Sequence, residues 1–369
     1  MKRNLKFTPL RFAARALCTA LAAVFALCSF SCAAGGQELH FDAFGGSFAI
    51  VQTRGGTLSD GAVAAIRELL DGLENVFSAT KNGSTVYRVN SAHAGEITPV
   101  SIRFSEIAEI CEKAHAFTDG KFDPAVYPLS LLWRFSPSFP VKDFSPPSVA
   151  SIAETLCITG MDKFVFGENV VKTADNAKID FGGILKGYAA DEIAKIMKKD
   201  GITGGFVNVG GSSLYLLAVN NLGIVHPRKD GDIISVNIKS GDLSVSTSGD
   251  YERVYTYDGK KYSHIIDPKT GAPSNGGVAS ATAIGRSGAE LDAFTTALCA
   301  TEHDFENPEN GELFSLAKKI VKSSEFSDCT LFIVCEKDSE KQLITNAKRG
   351  EDFTLKDDEY KIIPLLRAD

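Results

Sequence analysis

Asp292 and Thr296 stand four residues apart in Leu-Asp-Ala-Phe-Thr-Thr, within a stretch whose apolar spacing predicts a helix over Ala289–Thr301. A helix puts that carboxylate and hydroxyl on one face, one turn apart. Two hard oxygens suit Mg2+ rather than zinc, although an Asp-x-x-x-Thr pair is also an ordinary solvated face. Upstream, His264 ends a predicted strand and opens the turn Asp267-Pro-Lys-Thr-Gly271. Its imidazole titrates near neutrality and suits a general base beside a metal and a phosphate. Without such neighbours, a lone strand histidine is structural.

Three further segments could hold an anion. Thr247-Ser248-Gly249 reads as a polar turn whose backbone N–H groups can face a phosphate, or as a plain loop. Gly182-Gly183 opens a predicted helix with Lys186 one turn in, at the positive end of the helix dipole. Gly210-Gly211, between two predicted strands, permits close backbone approach to a ligand or marks a bulge. No Walker loop, Gly-x-Gly-x-x-Gly, His-Glu-x-x-His or Gly-x-Ser-x-Gly occurs, so P-loop, dinucleotide-fold, metalloprotease and α/β-hydrolase chemistries lack their parts.

The elements that must position these residues are a mixture of hairpins and packed helices. Leu39–Thr53 reads as a first strand, with Gly45-Gly46 as a bulge or turn. Asp60 opens a helix with Ile66, Leu69, Leu70, Leu73, Val76 and Phe77 inward. A second amphipathic helix covers Ser105–Phe117, and a short one Ser148–Thr155. Lys178–Asp180 reads as the end of a strand, and Gly183–Lys199 as a helix closed by Lys198-Lys199 before Gly201. Strands are predicted at Phe206–Val209, Ser213–Val219, Ala279–Ile284 and Thr330–Cys335. Val254–Tyr257 and Lys261–Ile266 flank Asp258-Gly259, a type I′ hairpin signal. The fold class is therefore α+β, with mixed or antiparallel sheets and packed helices.

In order along the chain stand Phe122-Asp-Pro-Ala-Val, Pro128-Leu, Trp133, Asp180-Phe-Gly-Gly-Ile-Leu-Lys-Gly-Tyr-Ala-Ala-Asp191, Val207-Asn-Val-Gly-Gly211, Thr247-Ser-Gly-Asp-Tyr251, His264-Ile-Ile-Asp-Pro-Lys-Thr-Gly271 and Asp292-Ala-Phe-Thr-Thr296. This series resembles the FAD:protein FMN transferases, the ApbE family, from about Phe44 to Leu355. The resemblance implies an ApbE-like, T-fold-like architecture and an enzyme that binds FAD and Mg2+. It implies cleavage of the pyrophosphate with release of AMP, and attachment of FMN to a Thr or Ser hydroxyl of an acceptor protein. Acceptors in the family are usually subunits of membrane-associated electron-transfer complexes. Carried over by position, His264 is the catalytic base, and Asp292, Thr296 and the backbone carbonyl of Leu185 hold the metal. Lys186, Asp180, Gly210, Gly211, Thr247, Ser248, Gly249 and Asp267 bind the FAD. Leu185 stands where the family usually has alanine, Ser212 where an acid is common, and Ala79-Thr80 near a usual aromatic. Two alternatives use the same groups: an FAD pyrophosphatase giving FMN and AMP, and a non-catalytic FAD-binding lipoprotein.

The first 31 residues differ from the rest. Lys2, Arg3, Lys6, Arg11 and Arg15 precede an uncharged apolar run, Ala16–Phe30, and then small residues. That is the layout of an export signal, and the run is short for a transmembrane helix. Ser31-Cys32-Ala33 resembles a lipoprotein processing site, which implies a lipid anchor at Cys32 and an exported, membrane-attached protein; cleavage after Ala34 is the alternative. Residues 32–43 then read as a flexible lead-in, and 44–360 as one flavin transferase domain. Residues 1–31 carry five positive charges and no negative one, so their removal takes the formal charge from −7 to −12. Such an acidic chain excludes nucleic acid as a partner. The eight cysteines show no Cys-x-x-Cys spacing, so neither zinc nor a disulfide framework is expected, and Cys111 and Cys299 read as buried thiols.

Overall fold

The computed structural model describes residues 35–135, 144–324 and 329–366. The export signal and Cys32 lie outside the described residues.

The chain starts in an antiparallel hairpin of β1 (Glu38–Ala43) and β2 (Ser47–Arg54). Phe44, Gly45 and Gly46 all have positive φ, so of the bulge or turn expected at Gly45-Gly46 the turn is what forms, and it divides the strand expected over Leu39–Thr53 into two. The flexible lead-in expected through residue 43 is likewise corrected. β1 pairs with β2 from Glu38↔Gln52 onward, because its backbone groups find a full ladder there.

α1 (Asp60–Phe77) begins where Ser59 Oγ accepts the Ala62 N–H, and it buries Ile66, Leu69, Leu70, Leu73 and Phe77. α2 (Thr85–Ser91), β3 (Ile97–Pro99), α3 (Ile102–Phe117), α4 (Tyr127–Leu132), α5 (Val149–Leu156), β4 (Phe164–Val165) and β5 (Asn169–Lys172) follow. Lys178–Asp180 is not the end of a strand. The Asn90 side-chain amide donates to the Ile179 carbonyl at 2.9 Å and accepts the Ile179 N–H at 2.8 Å, which replaces a ladder partner.

α6 (Gly182–Lys199) leads to β6 (Gly204–Val209), β7 (Ser213–Leu217), β8 (Asn221–Val225), β9 (Asp232–Asn237) and β10 (Leu243–Gly249). β11 (Val254–Tyr257) and β12 (Lys260–Ser263) form the expected hairpin, with Asp258 and Gly259 both at positive φ. Next come β13 (Val278–Gly285), α7 (Gly288–Cys299), α8 (Glu312–Lys322), β14 (Thr330–Lys337), β15 (Glu340–Thr345), β16 (Phe353–Leu355) and β17 (Lys361–Pro364).

The central sheet has nine strands in the order β1-β2-β6-β7-β10-β13-β14-β15-β17, antiparallel except for the parallel pair β15–β17. Several of its inner strands are apolar on both faces, whereas β10 turns serines toward the helices. Along β14, Leu331, Ile333 and Cys335 join the core under α1, α3, α6, α7 and α8, while Phe332 and Val334 join a second core under the sheet β16-β9-β8. Helices thus cover one face and a small sheet the other, as the α+β reading requires. A third cluster, Leu129, Trp133, Phe135 and Ile266, packs beside the β11–β12 hairpin.

Candidate active site

The site forms where α6 and α7 cross above β10. Their approach is set by two glycines: a Cβ on Gly187 would lie 2.0 Å from the Gly288 carbonyl oxygen. Asp191 holds the same crossing from one turn further along. Its carboxylate accepts the Gly288 N–H at 2.7 Å and the Ser244 hydroxyl at 2.6 Å, and burial pushes its pKa up to about 6.

Asp292 is 1% exposed at the centre of this crossing. Its Oδ1 accepts the Ser246 hydroxyl at 2.9 Å, its Oδ2 faces the Gly187 N–H at 3.4 Å, and the Lys186 ammonium lies 3.6 Å from Oδ2. Thr296 donates its hydroxyl proton to the Asp292 carbonyl at 2.9 Å, which leaves its oxygen lone pairs for another partner. Ser248 Oγ lies 3.4 Å from Thr296 Oγ1 and 3.0 Å from Thr295 Oγ1. Gly183 lacks a side chain where a Cβ would meet Phe122 at 3.3 Å and Thr296 Oγ1 at 3.5 Å. The helical face read from the sequence is real, and it is buried rather than solvated.

Thr247–Gly249 is not the polar turn expected; it is the end of β10, paired with β13 through Thr247↔Thr282, Ser248↔Ala281 and Gly249↔Ser280. Strand alternation sends Ser246 and Ser248 toward α7, while Thr247 Oγ1 lies 2.9 Å from Thr282 Oγ1 and its N–H donates to the Ser212 carbonyl. Ser248 therefore offers a hydroxyl, whereas the Thr247 backbone N–H is already spent.

His264 follows β12, and its N–H donates to the Arg253 carbonyl at 3.0 Å. Its Nε2 is 3.9 Å from Glu252 Oε2, and its buried Nδ1 has no hydrogen-bond partner among the described residues. Desolvation first, then the charges of Arg253 and Lys186, hold the imidazolium down to about 3. The ring keeps 26% of its side-chain surface open, so cleft walls rather than full enclosure desolvate it. Glu252 is pushed the other way by desolvation and by Asp292, with Lys186 and Arg253 opposing. Asp180 accepts the Gly182 N–H at 2.7 Å across the start of α6. Burial raises its pKa, against that hydrogen bond and the charges of Arg253 and Lys186.

Lys186 is thus shared: it pairs with Asp292 and biases His264, Glu252 and Asp180 together. Gly210, at φ +65°, leaves room for it, since a Cβ there would stand 3.0 Å from Lys186 Cδ. Leu185 is buried in α6 beside these groups. Other expected residues face elsewhere. Gly211 and Thr247 line a small hollow with Leu214, Leu222 and Ile224. Asp267 Oδ1 caps its own turn through the Lys269 N–H, and its Oδ2 pairs with Lys121. Ser246, Glu252 and Arg253 belong to the site without having been singled out. For Ser246 the signal was its spacing of two from Ser248, usable only once the segment is known to be a strand.

Among the described residues, no group of three or more His, Cys, Asp or Glu side chains is placed to hold a metal ion. The hard oxygens gathered at Asp292 and Thr296 are a different donor set.

The ApbE family model matches residues 44–306. The chain belongs to the ApbE family. Among the relatives of this ApbE chain, the FAD:protein FMN transferase of Buchnera aphidicola is 30% identical over 242 residues, covering 63% of this chain and 71% of that one. The FAD:protein FMN transferase of Escherichia coli K12 is 30% identical over 244 residues, covering 63% and 69%. Among solved structures, the ApbE protein of Thermotoga maritima aligns with a TM-score of 0.67 at 29% identity, over 81% of this chain and 94% of that one. The flavin transferase ApbE of Vibrio cholerae aligns with a TM-score of 0.69 at 23% identity, over 82% and 94%, a likeness of fold.

Proposed function

We propose that this enzyme transfers FMN from FAD to an acceptor protein, as the names of its relatives state for them. The observation that carries the reading is the shared Lys186, which joins the Asp292–Thr296 face to the His264 side of the cleft. In the reaction, a Thr or Ser hydroxyl oxygen of the acceptor attacks the FMN phosphorus. The P–O bond to AMP breaks, and its electron pair leaves on the AMP phosphate. The hydroxyl proton passes to His264. Desolvation and the nearby cations keep its imidazole neutral, so a ring nitrogen is open to accept the proton even though the same surroundings weaken it as a base.

Asp292 Oδ1/Oδ2, Thr296 Oγ1 and the Leu185 carbonyl would hold Mg2+, since the buried carboxylate and the Thr296 oxygen, whose proton is donated elsewhere, are hard donors that fit it. Bound there, Mg2+ supplies charge neutralisation of the diphosphate and a better leaving group. Lys186 orients phosphate oxygens from the side, and Ser248 keeps Thr296 aligned. The acceptor we infer is a subunit of a membrane-associated electron-transfer complex. The basic-then-apolar N-terminus and Cys32 support export and anchoring.

Incubation with FAD, Mg2+ and an acceptor polypeptide should give a fluorescent acceptor band on a denaturing gel. Asp292→Ala and His264→Ala should each lower that transfer by roughly 100-fold or more. Unchanged transfer in both variants refutes the assigned roles. AMP and free FMN released faster without acceptor than with it would make the enzyme a pyrophosphatase.

A further inference from the structure

Lys121 lies outside every group assigned above, yet its ammonium is placed between the two halves of the site. The side chain is 5% exposed. Its Nζ is 3.6 Å from Asp267 Oδ2, 3.4 Å from Glu312 Oε2 and 3.5 Å from the carbonyl oxygen of Ala300. Ala300 caps the C-terminal end of α7, the helix that carries Asp292 and Thr296. Asp267 opens the turn that follows His264; its carbonyl accepts the Gly271 N–H, and Gly271 is in turn held by Trp133 Nε1 at 2.8 Å. A cation at the negative end of α7 is favoured by the helix dipole, and the same charge offsets the Asp267 carboxylate.

The Lys121 backbone is itself fixed. Asp119 and Gly120 take positive φ after α3, and the Lys121 N–H donates to the Thr118 carbonyl at 3.1 Å. Its neighbour Phe122 sits against Gly183, beside Thr296. The segment therefore touches the start of α6, the end of α7 and the His264 turn.

We propose that Lys121 is a positioning residue for the transfer reaction, setting the His264 turn against the metal-binding face of α7 through Asp267 and the Ala300 carbonyl. The inference rests on the proposed transferase reading. It predicts a loss in the chemical step rather than in FAD binding, because Lys121 reaches neither the Lys186 cluster nor Ser248.

The test is steady-state transfer with Lys121→Met, which keeps the stem and removes the charge, alongside Lys121→Arg and the double variant Lys121→Met/Asp267→Asn. In Lys121→Met, kcat should fall by roughly 100-fold while the KM for FAD stays within about threefold, as misplacement of a base does. Lys121→Arg should recover most of the loss. The double variant should regain thermal stability but not kcat, because Asp267 no longer carries a stranded charge and the half-exposed Glu312 keeps Lys269 as a partner. Wild-type kcat in Lys121→Met overturns the proposal. So does a loss that the double variant repairs together with stability, because that is a folding effect only. Should the wild-type enzyme itself fail to transfer FMN, the functional reading falls instead. The 15N shifts of the His264 ring then decide the positioning claim, which requires them to move in Lys121→Met and return in Lys121→Arg.

Discussion

At the scale of single residues, the electrostatic state of His264 makes the sharpest claim. Its imidazolium is disfavoured by desolvation, Arg253 and Lys186, and the folded-state value falls to about 3. A histidine depressed in this way stays neutral in the fold while the unfolded chain protonates near 6.5, so its contribution to stability is present above that pH and is lost as pH falls toward 3. For the rate, His264, if it is the base we propose, is already deprotonated from pH 5 to 8. kcat/KM should therefore show no acid limb near 6.5; a limb there that disappears in His264→Gln would contradict the cleft electrostatics. The Asp292–Thr296 pair was readable because a spacing of four has one geometric meaning on a helix. The depressed imidazole was not, since the cleft walls that desolvate it and the Lys186 charge come from other parts of the chain, and only Arg253 stands beside it in the hairpin.

Elements fail or succeed as local readings according to where their partners lie. α6, α7 and the β11–β12 hairpin carry their own signals in periodicity, caps and a two-residue turn, and they form where expected, except that β12 stops at Ser263 and leaves His264 just beyond it rather than within a strand to Ile266. Thr247–Gly249 looked like a turn because its small polar residues favour one, and only pairing with β13 makes it a strand. Lys178–Asp180 erred the other way, with a side-chain amide standing in for the expected neighbour. The α6–α7 crossing also could not be foreseen, although both glycines are visible. Gly187→Ala should force the helices apart, at a cost of about 1–3 kcal/mol by the usual magnitude of overpacking, and should reduce transfer as well. Urea denaturation of Gly187→Ala beside the wild-type protein checks it; equal midpoints would mean the helices yield without cost.

For the whole molecule, the nine-stranded sheet is a two-sided platform, and the site lies on its helical face over β10, the middle strand. Ligand binding there should therefore stabilise the entire fold. FAD with Mg2+ at about 100-fold above Kd adds roughly 2.7 kcal/mol, enough to raise Tm by a few degrees. Asp292→Ala should lose the increment that depends on Mg2+ while it keeps any part due to FAD alone. A Mg2+-dependent shift that survives in Asp292→Ala would place the cation elsewhere. Fold class was legible from the alternation of hairpins and helices. Strand order was not, because β2 joins β6 across a long interval and β15 passes over β16 to join β17, pairings that no local pattern encodes.

The contact between Gly187 and Gly288 also acts as a ruler. Backbone rests on backbone there, so no bulky group exists that mutation could trim to draw α6 and α7 closer, and any addition drives them apart. Drift in the surrounding core can change packing without altering the gap between Lys186 and Asp292. A designer wishing to widen the space between these two helices would have to re-route the main chain itself.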